Sequence, residues 1–67
     1  MNWIEILRLI VAIWPLIEKI LALLDGDKRD AAEQKVERAA AHLLGGETKV
    51  ASADEVIAIL TEPLKLA

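Results

Sequence analysis

From Trp3 to Leu24 the chain is apolar at fifteen of twenty-two positions, counting only Trp, Ile, Leu and Val. The exceptions fall on one line, Glu5, Arg8, Ala12, Pro15, Lys19 and Ala22, spaced three and four apart, with Glu18 beside it. That spacing is a single stripe of an α-helix. The pattern predicts a helix over about 2–24, with Asn2 as its N-cap. Pro15 removes the hydrogen bond to the Val11 carbonyl and crowds that turn, and it restrains Trp14. The expected result is a kink with the polar seam on its convex side.

Asp25-Gly26-Asp27 is the first stop, with Gly26 expected in the left-handed position and Asp27 capping the next helix. That helix is predicted over 28–44, with Ala32, Val36, Ala39 and Leu43 as a narrow apolar seam and charged residues over most of the remainder. Small seam residues let a neighbouring backbone approach, as in a lid laid over bulkier side chains. Gly45-Gly46 ends it. Ser52-Ala53-Asp54-Glu55 then matches a capping box and opens a third helix over 53–62, stopped by Pro63. Val56, Ile57, Ile59 and Leu60 form its apolar face, which Leu64 and Leu66 extend. The fold class expected is all-α: three helices in a small open hairpin or bundle. Residues 1–67 form one domain, with 1–24 as a broad-faced docking helix and 25–67 as a helical lid.

The balance of apolar surface turns this fold into a functional expectation. Against the fifteen large side chains of the first helix, the rest of the chain offers about ten, from Val36 to Leu66. Two short amphipathic helices cover one side of a third. The uncovered side is expected to include Trp3, Ile6, Ile10, Ile13, Trp14, Ile17, Leu21 and Leu24, which are the candidate partner-binding residues. If about 600 Å² stays open, covering it gains roughly 15 kcal/mol gross, from which association and ordering costs are subtracted. Soluble monomers rarely display so large a patch.

Composition narrows the choice of partner. At 67 residues and with no cysteine, the chain has neither a disulfide frame nor a thiolate metal site to supplement a small core. Net charge is −3, built from 0 over residues 1–24 (two acids, two bases), −1 over 25–44 (five acids, four bases) and −2 over 45–67 (four acids, two bases). No basic run or face is present, so no nucleic-acid partner is expected. No base precedes Arg8 and no small-residue cleavage site follows Leu24, so the first segment is read as part of the working protein. Its twenty-two residues would make about 33 Å of helix, near the thickness of a bilayer core. The uncharged run from Leu9 to Ile17 is, however, only nine residues long. Lying flat at a lipid surface, with Trp3 and Trp14 on one edge, is the alternative.

Candidate chemistry is sparse. His42 is the only histidine, with Arg38 one turn before it and Glu37 on a different face, which suits a side chain near a helix C-terminus better than a base or ligand. Ser52 is the only serine, and its context makes it a cap. Asp25, Asp27 and Asp30 suggest a calcium loop, but the places for Gly and Glu hold Asp30 and Val36. No phosphate-cradling glycine loop is present. No enzyme, cofactor, metal or small-molecule substrate is expected.

The opening Met1-Asn2-Trp3-Ile4-Glu5-Ile6-Leu7, followed by Trp14-Pro15-Leu16-Ile17-Glu18-Lys19-Ile20, resembles the start of small phage-encoded helical proteins, both virion components and holin-like membrane proteins. The resemblance covers the first third of the chain. It implies a structural role in an assembly or a membrane role; the longer uncharged span and basic tail usual in holins are absent here. The reading is a non-enzymatic structural or interaction protein whose first helix docks into a homo-oligomer or larger assembly, a virion being one instance. It is expected in the cytoplasm or within that assembly. Membrane association, interfacial or holin-like, is the alternative, and a soluble regulator binding one partner by helix-in-groove contact is the third.

Overall fold

Asn2 begins the first helix by accepting the Glu5 N–H on its side-chain oxygen at 2.9 Å. In the computed structural model, which describes residues 1–66 and the side chains of residues 1–65, helix α1 spans Trp3–Leu21. It runs unbroken through Pro15. Pro15 and Val11 are both exposed, so the Val11 carbonyl that loses its intrahelical donor lies on an open side of the helix. Glu5 in the first turn and Lys19 in the last complement the helix dipole.

The helix stops at Leu21, three residues before the expected end. There the Leu23 N–H bonds to the Ile20 carbonyl at 3.0 Å and the Leu24 N–H to Leu21 at 3.1 Å, so the chain tightens into successive three-residue turns. Helix α2 spans Gly26–Leu44 with Asp25 as its N-cap. Two expectations are corrected here: Gly26 is the first helical residue and not a left-handed stop, and Asp27 lies inside the first turn. Among the described residues the one glycine at positive φ is Gly46, at 78°. It completes a Schellman motif at the end of α2: the Glu47 N–H bonds to the His42 carbonyl at 3.0 Å and the Gly46 N–H to Leu43 at 3.4 Å.

Helix α3 spans Ala53–Leu66. The Glu55 N–H bonds to Ser52 Oγ at 3.4 Å, and the Glu55 carboxylate reaches back to the Ala51 N–H at 2.8 Å. This is a capping box displaced by one residue at its return bond. The expected stop at Pro63 is also corrected. The proline sits inside the helix, where its missing N–H affects only the final turn. The expected contribution of the Leu66 side chain lies outside the described residues.

Each helix packs on the other two, in a bundle measuring 35 × 20 × 15 Å. The Met1 ammonium donates to the Val50 carbonyl at 3.1 Å, which places the start of α1 beside the segment that leads into α3. The interior is wholly aliphatic: Ile6, Ile10, Ile17 and Leu21 from α1, Ala32, Val36, Ala40 and Leu43 from α2, Val56 and Leu60 from α3. Two of the four α2 residues are alanines, so α1, with three isoleucines and a leucine, supplies most of the core's bulk. Each buried Ile, Leu or Val contributes about 1.5–3 kcal/mol. The core residues of α2 and α3 thus enclose the line of Ile6, Ile10, Ile17 and Leu21 on α1.

Candidate protein-interaction surface

That line includes most of the residues expected to face outward. Ile6, Ile10, Ile17 and Leu21 are buried in the chain's own core, and Ile13, Trp14 and Leu24 are half-buried against it. Only Trp3 of the eight expected docking residues is exposed, at 60%. The correction has a simple cause. These residues lie across the helix from Arg8, Ala12 and Lys19, and the seam and the core face of a helix occupy opposite sides. Position relative to the seam, and not a count of apolar residues, was the signal that distinguishes inward from outward.

What α1 leaves uncovered is a pair of flanks on either side of the polar seam. One carries Ile4, Leu7 and Val11, with Val11 63% exposed. The other carries Leu16 and Ile20, and beyond the helix end Leu23 is 85% exposed in the turn. At about 100° per residue, neither flank can turn inward without removing the core line from the interior. The flanks are therefore a fixed consequence of an apolar arc wider than two neighbours can cover.

The first flank continues into an open groove of about 640 Å³ between α1 and α2. Val11, Trp14 and Pro15 line its α1 side, Ala41 and Leu44 its α2 side, and Glu37 is the single charged residue along it. Alanines on α2 make the groove, because a larger residue at 40 or 41 would fill it. A smaller hollow of about 360 Å³ lies where Met1 and Trp3 approach Leu43, Thr48 and Val50.

Charged groups on this surface are solvated. Among the described residues His42 Nε2 approaches Glu47 Oε2 to 3.3 Å, with both side chains largely open to water. The contact braces the Schellman turn and faces no enclosed cavity. No group of three or more His, Cys, Asp or Glu stands together as a metal cage among the described residues. No described helix is long and apolar enough to cross a membrane. Ser52 is engaged as a cap, and Thr61 donates its hydroxyl to the Ile57 carbonyl at 2.8 Å. No family model matches the sequence, and neither a curated protein nor a solved structure does.

Proposed function

We propose that this chain is a non-enzymatic interaction subunit that joins a homo-oligomer or larger protein assembly through the outward flanks of α1. The observation that carries this reading is Val11 and Leu16 standing open on a helix whose core line is already enclosed, with Leu23 open in the turn that follows it. A side chain left in water gains by burial against a partner, at about 25 cal/mol per Å² before association costs. Scattered apolar residues are ordinary on a surface; aligned along a flank of one helix, as Ile4, Leu7 and Val11 are, they form a contact strip. A virion is one assembly of this kind, in keeping with the resemblance of the opening segment.

The test is mass in solution, by sedimentation and light scattering, with and without non-ionic detergent. The expected result is a species heavier than the 7.4 kDa chain in detergent-free buffer at micromolar concentration or above. A monomer at every concentration, unaffected by detergent, would count against self-assembly.

One observation favours a second reading, attachment to a lipid surface: Trp3 and Ile4 are exposed together at the start of α1. A net charge of −3 opposes it on anionic lipid. Flotation with neutral and anionic vesicles distinguishes the two readings, since an assembly subunit remains with the protein fraction.

A further inference from the structure

Glu5, Ala12 and Lys19 lie seven residues apart on the exposed seam of α1. Seven residues are nearly two turns, so the three positions track one line within about 20° per step. They span about 21 Å, with the alanine midway between an acid and a base. All three are exposed, and among the described residues neither Glu5 nor Lys19 has an ion-pair partner within 4.0 Å. The line reads as its own complement when turned end for end.

We propose that the partner of this face is a second copy of the chain, with the two α1 helices antiparallel about a twofold axis at Ala12. The inference rests on the reading that the outer face of α1 docks on protein. In that arrangement residue n stands opposite residue 24 − n. Glu5 faces the partner's Lys19, and Lys19 faces the partner's Glu5. Ala12 meets its own counterpart at the axis, where the absence of a long side chain allows the helices to approach closely. By the same relation Leu16 stands opposite the partner's Arg8, with the half-buried Leu9 next to it, twice by symmetry, so Leu16 is sheltered while Glu5 and Lys19 pair along the seam. A parallel pair would set Glu5 against Glu5 and Lys19 against Lys19, and so is disfavoured by the same residues.

A twofold contact is isologous and closes on itself, so it yields a dimer and not a fibre. A stripe of this length covers roughly 500 Å² on each copy, about 1,000 Å² in all, at the lower limit of specific interfaces. The dimer is correspondingly weak, because so small an interface leaves little after the costs of association. The Val11 flank and its groove remain free on the far side.

The test is a charge exchange read by sedimentation equilibrium. Glu5→Lys and Lys19→Glu, each made alone, replace two attractive contacts per dimer with two repulsive ones. Each should raise the dissociation constant about ten-fold, equal to about 1.4 kcal/mol. The double variant restores attraction and should return to within about three-fold of the starting value. An equimolar mixture of the two single variants should form a heterodimer tighter than either homodimer. Circular dichroism verifies that each variant keeps its helices, which is expected because both side chains are exposed. Single variants without effect, or a double variant weaker than both singles, would overturn the antiparallel pairing. If the starting protein then still associates and Leu16→Glu dissociates it, docking through α1 survives without this geometry. A starting protein that stays monomeric to about 1 mM overturns both.

Discussion

Leu16 and Ile17 are sequence neighbours in opposite surroundings: Ile17 is 1% exposed at the centre of the bundle, and Leu16 is 58% exposed on its outer flank. A step of about 100° around the helix separates a residue that holds the fold from one available to a partner. Ile17→Ala should therefore destabilise the chain by about 2–5 kcal/mol, through lost transfer energy and the cavity left behind. Leu16→Ala should change stability by about 0.5 kcal/mol or less. Urea denaturation followed by far-ultraviolet circular dichroism checks the pair, under dilute conditions where association does not contribute. Equal losses would mean that Leu16 is enclosed too.

The contrast also shows what could be read in the sequence. Three helices, the capping box at Ser52 and the turn at Gly45-Gly46 were legible, because each depends on spacing and local chemistry alone. Which arc of α1 faces inward was harder, since fifteen large apolar residues leave only a thin seam as the marker. Counting available cover pointed to an exposed flank but assigned Ile6, Ile10, Ile17 and Leu21 to it. Asp25 and Asp27 both suit an N-cap by residue type, so the place of Gly26 depends on where α1 ends, and its end at Leu21 goes with Asp25 as the cap. Pro63 reads as a stop in the sequence, but the restriction on the residue before proline is a bias, and Glu62 remains helical. The seven-residue line of Glu5, Ala12 and Lys19 was present in the sequence, but its exposure required the fold.

Removing the cap of α3 gives a second prediction. Ser52→Ala deletes the acceptor for the Glu55 N–H and should cost about 1 kcal/mol. In a domain of this size that corresponds to a fall in melting temperature of about 4–8 °C. Ser52→Thr should recover most of it, which a calorimetric scan of the three proteins would check.

The two helix-flanking glycines should respond with opposite signs. Gly46 holds φ at 78°, which an L side chain adopts only with strain, so Gly46→Ala should destabilise by about 1 kcal/mol although nothing crowds the position. Gly26 is helical and a Cβ there would also meet nothing within 4 Å, so Gly26→Ala should stabilise by about 0.4–1 kcal/mol by restricting the unfolded chain. Denaturation midpoints moving the same way for both would contradict the assigned backbone conformations.

Pro15 offers a fourth. Pro15→Ala supplies the N–H that the Val11 carbonyl lacks and relieves crowding in the turn. The ring is exposed, so little packing is lost. The variant should be more stable by about 1–3 kcal/mol. Amide hydrogen exchange should show new protection at residue 15 and slower exchange in the turn that follows; unchanged rates with unchanged stability would sink the prediction.

Among the described residues no polar or charged side chain is buried. The three helices are consequently aligned by shape and by their short connections, without any hidden hydrogen bond that admits one mate and rejects others. Such an interior forgives exchange: Ile, Leu, Val and Met can trade places so long as the volume they occupy is conserved. Sequence drift at the heart of this molecule should be inexpensive wherever it leaves the filled volume unchanged.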